Sequence, residues 1–217
     1  MYAFPRFTAD DPRHAIDLVR DHPFALVVSA PGGVPVATHA PVIVEDPARV
    51  GDTFEGTTLL GHLARVNPHW REMESSPEAL LIFSGPHGYV SPSMHGADPS
   101  VPTWDYAAVH LNGTIELITG EEGLLDVVER TVAFMETPRS PGWTPSERSR
   151  EVFRSIAGGV VAFRFHVREQ RSIFKLSQDR ISPWDRIHAA FSEGPDANPE
   201  LAELMCRIGD PQEGERA

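Results

Sequence analysis

GGVVAFRFHVRE, residues 158–169, alternates through its middle, with Val161, Phe163, Phe165 and Val167 on one side of an extended chain and Arg164, His166 and Arg168 on the other. Side chains along a strand point to opposite faces in turn, so this pattern predicts a strand with one face in a core and one toward solvent. Working outward, PFALVVSA (23–30) and VPVATHAPVIVE (34–45) are rich in β-branched residues and flank a Gly-Gly turn, which predicts a hairpin. TTLLGHLA (57–64), LLIFSG (80–85) and TWDYAAVHLNGTIELI (103–118) add three more strands, the last expected to bend at Asn112-Gly113.

Helices are expected between and around these strands. TADDPRHAIDLVRDHP offers Thr8 or Asp10 as an N-cap for an amphipathic helix closed by Pro23. Asn67-Pro68 supplies a cap and a first-turn proline for a short helix to about Met73. GEEGLLDVVERTVAFME has acidic residues in its first turn, and a further helix follows it and ends near Ile156. Strands interrupted by peripheral helices, without regular β-α alternation, predict a mainly β fold of the α+β class: a closed antiparallel barrel with helical decoration. GPHGYVSPSMHGADPSVP reads as one long functional loop. One domain is expected over 1–191, with 192–217 a short helix, PELAELMCRIG, and a mobile tail.

Composition narrows the function classes. The 217 residues carry a formal net charge of −12, which repels a phosphate backbone, and no basic run is present, so direct nucleic-acid binding is not expected. No stretch approaches a membrane span, and MYAFPRFTADD lacks the regions of a signal peptide, so a soluble cytoplasmic protein is expected. The single cysteine, Cys206, rules out a disulfide framework and reads as a half-buried helical residue. GxSxG, CxxC, HExxH and P-loop motifs are all missing.

What stands out is imidazole. Six of the ten histidines fall between Thr38 and His110 among glycines, prolines and aromatics, a density that points to a cofactor pocket. The blocks are THAPV, GHLARVNPHW, LIFSGPHGYVSPS and VPTWDYAAVH, followed by FKLSQDR at 174–180. In this order they resemble the PaiB-like family, whose members are labelled FMN-binding negative transcriptional regulators, from about Tyr2 to Arg180. The resemblance implies a split β-barrel of the FMN-binding and pyridoxamine-phosphate-oxidase type, forming a homodimer with cofactor sites where the two barrels meet. The same family includes haem-dependent piperazate synthases, which close a nitrogen–nitrogen bond in hydroxylated ornithine.

Two departures separate the branches. Regulator-like members carry SPSWY and TWNY where this chain has SPSMH (91–95) and TWDY (103–106), and KLSQN has become KLSQD. Losing rings removes stacking surface for a flavin, and a new carboxylate can anchor a substrate ammonium. The reading that follows is a piperazate-synthase-like enzyme with haem b, acting on a small amino-acid substrate, with FMN as the alternative cofactor. A regulator and a split-barrel flavin oxidoreductase are the competing functions.

Within that reading His62 is the expected axial iron ligand, its second nitrogen held by loop carbonyls; the alternative is a buried structural histidine. His39 is expected near the cofactor, as a propionate-binding or supporting group. Arg65 and Arg71 flank the Asn67-Pro68 helix start as a clamp for an anionic cofactor group. Lys175, the only lysine, could meet that group or a substrate carboxylate, with Ser177 and Gln178 beside it. Trp104 and Tyr106 share one strand face and Asp105 the other, so either the rings or the carboxylate points inward; core packing is the favoured alternative for Trp104. Asp105, His95 and Lys175 are the candidates for the base that frees the substrate amine, and His87 and His95 are read as loop residues.

Overall fold

The computed structural model describes Met1 and residues 4–209. Its strands are β1 (Phe24–Ser29), β2 (Val36–Val44), β3 (Thr58–Ala64), β4 (Glu78–Val90), β5 (Thr103–Ile118) and β6 (Val160–Lys175). They are hydrogen-bonded in the order β1-β2-β3-β6-β5-β4 as a closed barrel. The helices are α1 (Arg13–Asp21), α2 (His69–Ser75), α3 (Pro92–His95), α4 (Glu121–Glu136), α5 (Glu147–Ile156), α6 (Ile181–Glu193) and α7 (Pro199–Ile208). Contacts group the chain into two compact units, Val19–Phe83 with His110–Gln170, and Met1–Leu18 with Ser84–Val109 and Arg171 onward.

In the first unit the expected hairpin forms, with Leu26 opposite His39 and Val28 opposite Ala37. β3 pairs antiparallel with β6, Gly61 opposite Phe163 and His62 opposite Ala162. The alternation read in the sequence is borne out. Phe163 and Phe165 are fully buried, as are Val27, Val42, Leu59, Leu81 and Phe83, and each such side chain contributes about 1.5–3 kcal/mol by leaving water. Gly61 is a consequence of this packing, because a Cβ there would overlap the Phe163 ring. On the opposite face of the sheet Ile43, Leu60 and Ala162 are buried with Leu124 and Val127 of α4, so the amphipathic α4 gives that face its own core.

The second unit is built on the remaining parts of β4, β5 and β6 and on α6 and α7. Trp184, Ile187 and Phe191 of α6, together with Leu201, Ala202, Leu204 and Met205 of α7, are buried, and the two helices pack on each other. Asn198 caps α7, accepting from the Leu201 N–H at 3.1 Å while its own amide donates to the His87 carbonyl at 3.0 Å.

Several expectations change. The long loop expected from Gly85 is shorter: β4 runs to Val90, and α3 follows from Pro92. The glycines that read as loop are there for closeness. A Cβ at Gly88 would strike Phe191 and Leu201, and one at Gly85 would press on Leu18. The long strand expected over 103–118 forms as β5, with Gly113 making room for the His166 carbonyl. α1 begins at Arg13, where the Asp11 carboxylate accepts the Arg13 N–H at 2.9 Å, rather than from a cap at Thr8 or Asp10. The boundary drawn after residue 191 falls inside α6, whereas the short helix expected in PELAELMCRIG forms as α7. The end of the tail expected to be mobile, 210–217, lies outside the described residues. Cys206 is exposed rather than half-buried.

Candidate functional site

His62 sits on β3 between Leu60 and Ala64, on the face away from the Phe163 side. Its Nδ1 is buried, and neither ring nitrogen has a hydrogen-bond partner among the described residues. The loop carbonyls expected to fix its tautomer are therefore not bonded to it. Burial pulls its pKa below the ordinary histidine value, so the ring is neutral at pH 7. A neutral imidazole with an unspent nitrogen, held on a barrel strand, has the donor chemistry of a metal ligand. Among the described residues no group of three or more His, Cys, Asp or Glu is gathered for a metal ion.

The other polar node belongs to the second unit. Asp105 points inward and is fully buried, while Trp104 is 52% exposed. This answers the question the strand left open, and core packing of Trp104 is corrected. Ser177 donates to Asp105 Oδ2 at 2.6 Å, and the Lys175 ammonium lies 3.6 Å from Oδ1. Lys175 also donates to Thr103 Oγ1 at 2.6 Å and to the Trp104 carbonyl at 2.5 Å. Burial raises the Asp105 pKa, and the Ser177 and Lys175 contacts oppose that rise. Ser177 adopts φ 58, a strained region for a residue with a Cβ, at the turn where its hydroxyl meets the carboxylate. Gln178 is spent locally, accepting from Leu176 N at 2.7 Å and donating to Phe174 O at 2.6 Å.

His95 is not a loop residue. It ends α3, is 7% exposed, and pairs through Nδ1 with Ser100 Oγ, leaving a buried Nε2 without a partner among the described residues. Burial lowers its pKa and the charge of Arg180 lowers it further. His87 lies on β4, its ring 5.7 Å from that of Trp104, with Tyr89 at 5.9 Å on the same indole.

The anion clamp does not form as expected. Arg65 donates to the carbonyls of Gly158 at 2.8 Å and Val160 at 3.0 Å, and Arg71 lies over the Trp70 ring at 4.7 Å. The first N–H of α2 is taken by Asn67 Oδ1, 3.0 Å from His69 N. His39 is exposed on β2 and stacks on Phe24, centroids 5.6 Å apart.

Sequence reading passed over His69. It is 1% exposed and bonded on both sides, Nε2 to Ser29 Oγ and Nδ1 to Thr38 Oγ1, each at 2.8 Å, with Asn67 also donating to Thr38 at 2.9 Å. This staple ties α2 to β1 and β2. Its only trace in the sequence is a histidine two residues after the capping Asn67. No helix among the described residues is long and apolar enough to cross a membrane.

The family model described as "Putative FMN-binding domain" matches residues 1–169. A Bacillus subtilis (strain 168) protein named "Protease synthase and sporulation protein PAI 2" is 30% identical over 208 residues, 94% of this chain and 96% of that one. Among solved structures, the FAD and heme binding protein from Mycobacterium smegmatis aligns with a TM-score of 0.54 at 17% identity, over 78% of this chain and 73% of that one. A 5-nitroimidazole antibiotic resistance protein of Bacteroides thetaiotaomicron, so described provisionally, aligns at 0.53 and 12% identity over 75% and 83%. At such identities the likeness is one of fold, and the split β-barrel is borne out.

Proposed function

The chain belongs to the family described as "Putative FMN-binding domain", and on that footing we propose that it is a haem-dependent enzyme of the piperazate-synthase kind, closing a nitrogen–nitrogen bond within δ-N-hydroxyornithine. The observation that carries the reading is His62, a neutral, half-buried imidazole whose Nδ1 is buried with no partner among the described residues. His62 would hold the iron. When bound, haem supplies a Lewis-acidic iron that weakens the N–O bond of the hydroxylamine. The α-amine nitrogen attacks, the N–N bond forms, the N–O bond breaks, and water leaves with no net electron change. The proton lost by the amine balances the departing hydroxide.

The protein's part is to fold a flexible chain so that the two nitrogens touch, an effect worth several kcal/mol in favourable cases, about 7–11. Asp105 is sealed from solvent and the directions of Lys175 are taken, so these two residues act with Ser177 as a positioning cluster that fixes the FKLSQ turn. A homodimer is part of the reading.

A flavin-binding regulator is the second reading. It is favoured by the exposed His87, Tyr89 and Trp104 rings, a stacking surface for a planar ligand, and by the family description itself. The absorption spectrum of protein purified from iron-sufficient cells separates the two. A Soret band and a product lighter than δ-N-hydroxyornithine by one water are expected. A flavin spectrum, or haem-loaded protein that leaves the substrate unchanged, would overturn the enzyme.

A further inference from the structure

Around α3 and the first turns of α6 the second unit gathers hydrogen-bond donors without acceptors. His95 Nε2 is buried and lacks a partner among the described residues, and in the tautomer in which Nδ1 accepts the Ser100 hydroxyl proton Nε2 carries the N–H. Trp184 Nε1, on the first turn of α6, is likewise buried without a partner. α3 packs against α6. The Arg186 guanidinium reaches back over Gly96, the residue after His95, where φ is 64 and a Cβ would collide with it. Arg180, the N-cap residue of α6, lies close enough to His95 for its charge to act on the ring, and α6 begins without a side-chain cap.

Neither guanidinium has an ion pair or hydrogen bond among the described residues. In the barrel unit, by comparison, Arg164 is spent on Glu45, Arg168 on Glu78 and Arg150 on Glu129, while Arg71 lies on the Trp70 ring. In a chain of net charge −12, arginines kept clear of carboxylates beside two orphaned N–H groups mark a place that lacks an anion. Buried donors left unmade cost about 1–3 kcal/mol each, and a planar carboxylate supplies acceptors in the geometry a guanidinium prefers.

We propose that His95, Arg180, Arg186 and the Trp184 indole N–H bind the carboxylate of a small amino-acid substrate. The amino-acid class rests on the function proposed above, whereas the carboxylate follows from the donors alone. In this arrangement His95 is a binding residue and not the base.

The test is calorimetric titration of the purified full chain with L-ornithine, L-ornithine methyl ester and inorganic phosphate. Ornithine should bind, with the ester at least about tenfold weaker. Arg186→Ala and Arg180→Ala should each weaken ornithine by about tenfold or more, as loss of a charge-assisted hydrogen bond does. His95→Gln, which keeps a donor, should hold binding better than His95→Leu, and the haem spectrum of all four variants should match the wild type. Equal affinity for the ester, unchanged affinity in both arginine variants, or binding of phosphate without ornithine would overturn the site. Carboxylate-dependent binding in a protein that takes up no haem would sink the proposed function and leave this site standing.

Discussion

His69 and His62 belong to the same unit, and burial depresses the pKa of both, yet their surroundings are opposite. His69 is clamped between two hydroxyls on two strands, whereas His62 has no hydrogen bond among the described residues. A buried polar group that is fully bonded holds structure together, and one left open is costly unless something outside the chain completes it. Completeness of bonding, more than burial or residue type, separates the structural histidine from the candidate ligand.

The largest expected effect is therefore at His69. Leucine there leaves the Ser29 and Thr38 hydroxyls facing an apolar group, and a loss of about 3 kcal/mol is expected in urea unfolding; a loss below about 1 would break the contrast. Asp105→Ala comes next, at about 2–3 kcal/mol. It strips Lys175 of its counter-charge and Ser177 of its acceptor, with some relief because Lys175 is partly exposed. Asp105→Asn should recover part of that loss.

Acid gives the next test. Both imidazoles have folded pKa values below the unfolded value of about 6.5, so unfolded chains bind more protons once pH drops under it. Stability should be full above that pH and fall as pH is lowered through the folded values. His69→Ala should flatten the slope of midpoint against pH, and an unchanged slope would show that His69 does not contribute. His62→Leu, in contrast, should alter apo-protein stability by no more than about 1 kcal/mol, since it removes an unsatisfied nitrogen and no bond. Smallest of all is Trp104→Ala. With the ring half in water, a change within about 0.5 kcal/mol is expected, and a cost of several would restore a core role.

The same distinction explains what the sequence made legible. Hydrophobic alternation located β6 and β-branched runs located β1 and β2, because those signals are set by each strand's own faces. β4 was hidden beyond Gly85, since Gly88 is small on account of Phe191 and Leu201, residues far away in the chain. The inward turn of Asp105 was likewise invisible. A strand's period fixes which residues share a face, but the partners Lys175 and Ser177 decide which face can hold a carboxylate. The expected Arg65 clamp failed for a related reason: the carbonyls of Gly158 and Val160 compete for the same donors, and nothing near Arg65 in sequence announces them. His62 itself was readable as a histidine on a strand within GHLAR; that it is unbonded was not.

The most direct test of the account is haem titration of the purified protein beside its His62→Ala variant, followed by absorption. The account predicts a saturable Soret band in the wild type that is lost or shifted in the variant, while both proteins keep the same unfolding midpoint without haem. An identical haem spectrum in the variant, or a wild type that refuses haem and retains flavin, would contradict it.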